Sequence, residues 1–172
     1  MPFHPFLALA LPLSLAACVV GQVYPQDSLP TRPWPETATC PTPARAAAEA
    51  KTLLDEMNGA RTASGLSPLT VSPALTATAQ HYACENAARQ SLDHVGSDGS
   101  DSLERFRRAG LKPSLAAENT GIGYANAQAA FAGWMASPYH RENILRPELT
   151  QVGIGLADGP KPVWVVDFLS PR

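Results

Sequence analysis

The sequence is short of charge and has no excess of either sign. Of its 172 residues, 13 are Lys or Arg and 15 are Asp or Glu, which gives a formal net charge of −2 at pH 7. A chain without a basic excess lacks the electrostatic footprint of a nucleic-acid-binding protein. No spacing of aromatic residues suggests base stacking either, so we expect no nucleic-acid partner.

Two motifs of common enzyme classes are also missing. The chain has no Gly-x-Ser-x-Gly elbow and no glycine-rich loop of the kind that holds a phosphate. Ser137 lies close to His140 in the sequence, but nearness along a turn does not make a catalytic dyad. Nucleophilic catalysis by serine therefore has no support in the sequence.

The amino-terminal apolar run is too short for a transmembrane helix. It extends from Phe6 to Leu15 and is typical of a signal peptide. Its end, Leu15-Ala16-Ala17-Cys18, is similar to the lipobox of bacterial lipoproteins, which implies cleavage before Cys18 and acylation of that residue. Residues 1–5 depart from the pattern because they contain no Lys or Arg. The alternative is an ordinary signal peptide cut after Ala17.

These features divide the chain into three segments. Residues 1–17 are the predicted lipoprotein signal peptide, residues 18–43 the anchor cysteine with a proline-rich tether, and residues 44–172 a folded domain. The prolines of the tether favour extended polyproline II, and Trp34 within it is expected to pack loosely or to be solvated. The membrane is thus an expected partner through the lipid anchor. The residue after Cys18 is Val19 and not Asp. In enterobacterial lipoproteins this favours transport to the outer membrane, so the expected location in the bacterial cell envelope is the periplasmic face of that membrane, if the host is Gram-negative.

Cysteine is scarce, with three residues in the whole chain. When Cys18 is assigned to the lipid, Cys40 and Cys84 remain as an even pair in an oxidising compartment, which suggests a disulfide. Closing a loop of this size stabilises a fold by about 3–4 kcal/mol in the chain-entropy model. Two buried free thiols are the alternative.

Apolar spacing predicts a set of helices and strands. The predicted helices cover residues 44–61, 73–90, 101–106 and 127–136, with Ser72, Asp101 and Asn126 as N-caps. The predicted strands cover residues 115–124, 151–156 and 163–169, and the last two form a hairpin. Because helices and strands do not alternate as βαβ units, this order indicates an α+β domain with helices packed on a small, mostly antiparallel sheet.

The arginines at positions 105, 107 and 108 are expected to form a solvated face, with an anion patch as the alternative.

Two histidines lie in loop stretches bounded by Gly or Pro, where sites are commonly built. His94 stands in Asp93–Gly99, and His140 stands in Ser137–Leu145. Two imidazoles can bind zinc with water completing an open site, and a carboxylate such as Glu118 can orient one of them. The same three groups could act as general acids and bases. They could also simply hold two loops together through hydrogen bonds.

Several sequence blocks follow one another with suitable spacing. They are Asn58–Leu75, His94–Gly99, Ala117–Asn119, Trp134–Leu145, Val152–Gly155 and Val163-Trp164. In this order they resemble the CAP superfamily, the SCP-like extracellular domain, in its bacterial branch. The resemblance covers about residues 44–169. It implies an α-β-α sandwich with an open cleft.

The resemblance also implies a site. In this superfamily, two His and two Glu line the cleft, and His94, Glu118 and His140 match three of the four positions. The remaining Glu follows a helix tryptophan by three residues in animal and plant members, but here that position is Ser137. Ser137 cannot supply a charge, so it is at most an auxiliary residue, and Asp98 is a candidate substitute.

Three functions fit these observations. The leading hypothesis is a lipid-anchored interaction module whose cleft binds an envelope glycan, lipid or protein, with zinc or another divalent cation bound weakly. The alternative is a metal-assisted hydrolase of a peptide or envelope polymer. The third is a structural tether without a ligand. We expect a binding role rather than catalysis, since most members of the superfamily lack a settled enzymatic activity.

Overall fold

Five helices and four strands make up the part of the chain that the computed structural model describes, residues 33–34 and 39–172. The helices are α1 (Ala46–Ala63), α2 (Pro73–Arg89), α3 (Ser102–Arg108), α4 (Ala127–Ala136) and α5 (Pro138–Ile144). The strands are β1 (Thr70–Val71), β2 (Pro113–Ile122), β3 (Gln151–Ala157) and β4 (Val163–Pro171). The predicted signal peptide, the lipidation site Cys18 and most of the tether lie outside the described residues. Within the described ranges, every helix is too short or too polar to cross a membrane.

The strands form one sheet in the order β1-β3-β4-β2. Strand β4 pairs antiparallel with β3 on one side and with β2 on the other, and β1 pairs parallel with β3. The prediction of a small, mostly antiparallel sheet is confirmed, including the hairpin of β3 and β4. Strand β1 is absent from the prediction because two residues are too few to show a period.

Alternate side chains of β4 pack on opposite faces of the sheet, as the two-residue period of a strand requires. Trp164 and Val166 belong to the core that the sheet shares with α1 and α4. Val163 and Val165 pack against the alanine-rich side of α2. Helices therefore cover both faces, which confirms the expected α+β class and the α-β-α sandwich.

Two glycines of β3 allow α2 to lie directly against the sheet. A Cβ at Gly153 would stand 2.1 Å from the carbonyl carbon of Leu75, and one at Gly155 would stand 2.3 Å from that of Ala79. Side-chain carbons do not approach backbone atoms so closely, so only glycine permits this packing distance. The contact gives a structural reason for the glycines of the Val152–Gly155 block.

The predicted helix starts are confirmed by capping hydrogen bonds. Ser72, Asp101 and Asn126 each accept a hydrogen bond from the backbone N–H three residues later.

The prediction of a loop around His140 is wrong. Pro138 ends α4, because a residue before proline avoids the helical conformation, but its fixed φ also suits the first position of a new helix. Helix α5 therefore begins at Pro138 and carries His140 in its first turn.

The start of the domain is attached to α2 by two contacts. Cys40 and Cys84 form a disulfide, as predicted. Trp34 does not lie loosely in solvent: it stacks on the imidazole of His81 with ring centroids 4.6 Å apart. The guanidinium of Arg108 lies 5.5 Å from the centroid of the Trp34 ring. Residues 34 and 40 are thus both fixed to α2.

Candidate functional site

The two candidate histidines are positioned by strand β2, which forms one edge of the sheet. Because side chains alternate along a strand, Glu118 and Thr120 point to the face that α2 covers, and Asn119 points to the other face. Glu118 and Thr120 contact the loop that carries His94. Asn119 contacts α5, which carries His140. Three consecutive residues of one strand therefore position both imidazoles.

Helix α5 is fixed to β2 by two asparagine side chains. The Nδ2 of Asn119 donates to the carbonyl oxygen of His140 at 3.0 Å, and the Nδ2 of Asn143 donates to Oδ1 of Asn119 at 2.8 Å. The same Nδ2 of Asn143 donates to the carbonyl oxygen of Glu118 at 3.4 Å. Both asparagines belong to the blocks of the family resemblance, and these bonds give each of them a role in placing His140.

A buried arginine holds the other end of α5. The guanidinium of Arg61 donates to the carbonyl oxygens of Ile144, Arg146 and Leu149 at 2.8–2.9 Å. Its Nε donates to the carbonyl oxygen of Ser67 at 2.8 Å. Burial lowers the pKa of Arg61, but carbonyl dipoles, including one at the C-terminal end of α5, compensate its charge. Arg61 is thus a positioning residue of the site.

The imidazole of His94 is attached to a buried ion pair. Its Nδ1 lies 2.8 Å from Oε1 of Glu118, and Oε2 of Glu118 accepts a hydrogen bond from Nη2 of Arg105 at 2.5 Å. The side chains of Glu118 and Arg105 are 3% and 0% exposed, whereas that of His94 is 57% exposed. When the neutral ring donates from Nδ1, its lone pair lies on Nε2. A buried carboxylate therefore selects the tautomer of a solvent-facing imidazole.

Arg105 belongs to the site, so the expectation that it lies on a solvated arginine face is wrong. Its Nη1 donates to the carbonyl oxygen of Ser100 at 3.0 Å, and its guanidinium carbon lies 3.5 Å from the centroid of the Tyr82 ring. The side chain of Arg108 is also buried. Residues three apart share one face of a helix, and this face of α3 meets acidic partners from other elements. The sequence of α3 alone does not reveal those partners.

The loop around His94 is held by α2. The hydroxyl of Tyr82 donates to the carbonyl oxygen of Asp93 at 2.5 Å. The N–H of Ser97 donates to the carboxylate of Glu85, which is almost fully buried. These two bonds fix the loop on both sides of His94.

The two imidazoles differ in proton affinity. The hydrogen bond with the Glu118 carboxylate raises the pKa of His94, although burial opposes the shift. Burial lowers the pKa of His140, and the charge that His94 can carry lowers it further. The second effect requires the two rings to be near each other. The site therefore pairs an imidazole whose pKa is raised with one whose pKa is lowered.

The two auxiliary candidates have partners of their own. Asp98 forms an ion pair with Arg108 at 2.6 Å and accepts from the N–H of Ser100 at 3.0 Å. Burial opposes the charge of Asp98, but the hydrogen bonds of Ser100 and the ion pair outweigh it and lower its pKa to about 2. Ser137 lies at the junction of α4 and α5, where its N–H donates to the carbonyl oxygen of Trp134 at 3.1 Å. The structure thus joins Asp98 to α3 and Ser137 to the helix junction.

A metal ion would find two nitrogen ligands in this site, those of His94 and His140. Both oxygens of Glu118 are engaged, so this residue orients His94 and is not itself a ligand. Within the ranges that the structure describes, there is no group of three or more His, Cys, Asp or Glu side chains that could hold a metal ion. Two imidazoles and water fit an open, weakly binding site rather than a closed structural one.

Asp167 is a residue of the site that the sequence reasoning missed. It lies on β4 directly opposite Glu118 of β2 and is fully buried. Its Oδ2 is hydrogen-bonded to the hydroxyl of Thr78 at 2.7 Å. The available signal was a single acid within the apolar run Val163–Leu169, because an acidic residue is almost never fully buried without a partner.

Exposed apolar residues stand close to both histidines along the chain. The large hydrophobic side chains that are exposed in the described part of the chain are Val71, Leu92, Val95 and Tyr139. Leu92 and Val95 flank His94, and Tyr139, which is 83% exposed, precedes His140. Exposed apolar groups beside oriented polar groups are typical of a binding site.

This fold is that of an SCP-like domain, and a comparison with known families agrees. The model of the CAP family, described as the cysteine-rich secretory protein family, matches residues 54–168. The match covers more than half of the chain's 172 residues. The chain belongs to the CAP family.

Several bacterial proteins are similar to this chain in sequence or in fold. The uncharacterized protein YkwD of Bacillus subtilis is 25% identical over 132 residues, which are 77% of this chain and 51% of that protein. An extracellular SCP-domain protein of Bacillus anthracis has a similar structure, with a TM-score of 0.68 at 20% identity over 76% of this chain and 45% of its own. An outer surface protein of Borrelia burgdorferi also gives a TM-score of 0.68 at 20% identity, over 73% of this chain and 94% of its own. The chain thus spans about half the length of the two Bacillus proteins.

Proposed function

We propose that this CAP domain binds a ligand of the bacterial cell envelope in the cleft between the His94 loop and α5, with His94 and His140 as contact residues. The observation that carries this proposal is the attachment of an exposed imidazole to a buried carboxylate. Burying the charges of Glu118 and Arg105 offsets much of their attraction, so the pair is a poor way to gain stability alone. At the surface, the pair directs Nε2 of His94 outward, where a ligand can reach it.

The surroundings of the histidines indicate the chemistry of the ligand. Leu92, Val95 and Tyr139 offer apolar contact area, and the two imidazoles offer a hydrogen-bond donor and acceptor. A ligand with both polar and apolar parts, such as an envelope glycan, lipid or protein segment, fits this combination. Cosedimentation with isolated peptidoglycan or with phospholipid vesicles tests two of these sources directly. Loss of binding in the double variant His94→Ala/His140→Ala is expected, whereas unchanged binding would contradict the proposed cleft.

A divalent cation such as zinc is proposed as a weakly bound cofactor, held by His94 and His140. When bound, it would supply positive charge for an anionic group of the ligand. Titration calorimetry with zinc chloride tests this point. His140→Ala is expected to weaken zinc binding at least about tenfold, whereas His81→Ala, which removes an imidazole stacked on Trp34, serves as the matched control. Equal heats for wild type and His140→Ala would refute the cation site.

A metal-assisted hydrolase is the second candidate, favoured by the lowered pKa of His140. A neutral imidazole keeps its lone pair for a metal ion, and a bound ion would activate water for hydrolysis. Cleavage of peptides or peptidoglycan is measured with and without added zinc. Activity that disappears in His140→Ala but persists in His81→Ala would establish this function, and no cleavage over a broad substrate screen would reject it.

We further propose export and lipid anchoring through Cys18. The disulfide between Cys40 and Cys84 supports an oxidising compartment. The names of two structural relatives, an extracellular protein and an outer surface protein, support it as well. Detergent-phase partitioning of the cell-expressed full chain is expected for wild type and not for Cys18→Ser. If both proteins partition into water, the lipid anchor is refuted.

A further inference from the structure

Two carboxyl groups share one buried space behind His94. Glu118 of β2 and Asp167 of β4 are direct cross-strand neighbours in an antiparallel pair. The carbonyl of Glu118 accepts a hydrogen bond from α5, so it points away from β4. This places the two residues in a non-hydrogen-bonded pair, in which side chains approach most closely. Their carboxyl groups therefore meet in the interior.

The two carboxyl oxygens of Asp167 have different hydrogen-bond surroundings. Oδ2 lies 2.7 Å from the hydroxyl oxygen of Thr78, whose single hydrogen is shared between this oxygen and the carbonyl oxygen of Leu75 at 2.8 Å. Oδ1 is buried and receives no hydrogen bond from any donor among the described residues. A buried carboxylate oxygen without a donor is strongly unfavourable. A carboxylic acid removes the difficulty, because Oδ1 then carries a proton and becomes a donor.

The charged groups around Glu118 and Asp167 also favour a protonated Asp167. Arg105 of α3 is the cation that contacts Glu118, α2 contributes the neutral Thr78 and Tyr82, and His94 lies beyond Glu118. One guanidinium balances one carboxylate, so a second buried negative charge would stay uncompensated. Burial and the neighbouring Glu118 raise the pKa of Asp167 well above its ordinary value.

We propose that Asp167 is a positioning residue that stays protonated at neutral pH and donates its Oδ1–H to the carboxylate of Glu118. Glu118 then carries a single negative charge and has three donors around it, from Asp167, Arg105 and His94. This arrangement prevents its carboxylate from rotating away from His94 and keeps the exposed imidazole in one tautomer. The inference rests on the proposed function only where it gives the oriented imidazole a role in ligand binding. The proton between Asp167 and Glu118 does not depend on a ligand.

Carbon NMR on the full chain with its disulfide intact tests the protonation state. In protein labelled with ¹³C at the aspartate carboxyl, the resonance that disappears in Asp167→Asn belongs to Asp167. We expect this resonance at the position of a protonated acid at pH 7, while exposed aspartates are ionised. If every aspartate carboxyl resonance of folded wild type lies at the ionised position at pH 7, the proposal is overturned, and this outcome needs no variant.

A second measurement follows the effect on His94. Asparagine has the shape of the protonated acid and can donate to Glu118 while accepting from Thr78, so Asp167→Asn should leave the pKa of His94 unchanged. Asp93→Asn is the matched control, because it removes an ionised carboxylate that raises the pKa of His94 and should lower that pKa. If Asp167→Asn lowers the pKa of His94 as Asp93→Asn does, Asp167 is ionised and the proposal fails. Neither measurement uses a ligand, so failure of the proposed binding function and failure of this inference are distinguishable.

Discussion

Arg61 of α1 and Ile144 of α5 are 83 positions apart, yet the guanidinium of Arg61 donates to the carbonyl oxygen of Ile144 at 2.8 Å. Ile144 is the last residue of α5, so the bond joins α1 to the C-terminal end of the helix that carries His140. The position of one half of the candidate site therefore depends on a residue that touches neither histidine.

Replacing Arg61 by Met should destabilise the domain by at least about 3 kcal/mol. The substitution removes the guanidinium as donor to four backbone carbonyls, in two buried and two partly buried hydrogen bonds, and each buried group left unsatisfied costs about 1–3 kcal/mol. Arg61→Lys should recover only part of the loss, because an ammonium group cannot reproduce the geometry of a guanidinium. Denaturant unfolding measures the difference.

The control for Arg61 is Arg45→Met. Arg45 forms a solvent-exposed ion pair with Asp158, and such pairs contribute less than about 1 kcal/mol. Equal losses of unfolding free energy in the two variants would show that Arg61 is not a structural anchor.

Replacing Glu118 by Gln should lower the pKa of His94. The carboxylate of Glu118 is the main cause of the raised value in the wild type. Because the folded protein holds this proton more strongly than the unfolded chain, the stability gained is complete below the unfolded pKa of about 6.5. It is lost as the pH rises through the higher folded pKa. The exposure of the ring keeps this contribution small.

Proton NMR titration of the His94 ring measures this change. Asp55→Asn is the control, since Asp55 pairs with Lys51 on the exposed side of α1 and should leave the His94 titration unchanged. His140 should show the opposite behaviour in wild type, with stability lost as the pH falls below about 6.5, because its folded pKa is lowered. A His94 pKa that is the same in wild type and Glu118→Gln would contradict the assigned hydrogen bond.

Gly155→Ala should destabilise the domain by about 1–3 kcal/mol or more, since the added carbon would collide with the backbone of α2 at Ala79. Gly59→Ala is the matched control. Gly59 lies within α1 with open space around its would-be Cβ, so the same substitution there should stabilise by about 0.5–1 kcal/mol. Thermal and denaturant unfolding compare the two. Similar effects at both positions would argue against the close packing of α2 on β3.

Removing the disulfide with Cys40→Ala/Cys84→Ala should lower the unfolding free energy by about 3–4 kcal/mol, because the bridge closes a loop with a sequence separation of 44 residues. A thiol assay on the denatured, unreduced wild type should detect neither Cys40 nor Cys84. Detection of both thiols in protein from an oxidising compartment would show that the bridge does not form.

The sequence by itself determined the local elements and the family. Helix starts at Ser72, Asp101 and Asn126 depend on hydrogen bonds to a backbone three residues away, and strand periodicity depends on near neighbours. The ordered blocks also identified His94, Glu118 and His140 without any structure. The error at α5 arose because Pro138 both ends one helix and begins the next.

Only the tertiary structure decided which charged groups are buried and what they contact. Arg105 looks like part of a solvated helix face until α3 is placed against β2 and Glu118. Asp167 gains its meaning from the register of β2 and β4, and Arg61 from carbonyls 83 to 88 positions away. The free energy of a charge depends on the groups that surround it in space. Local sequence patterns do not contain that information, because distant segments supply the partners.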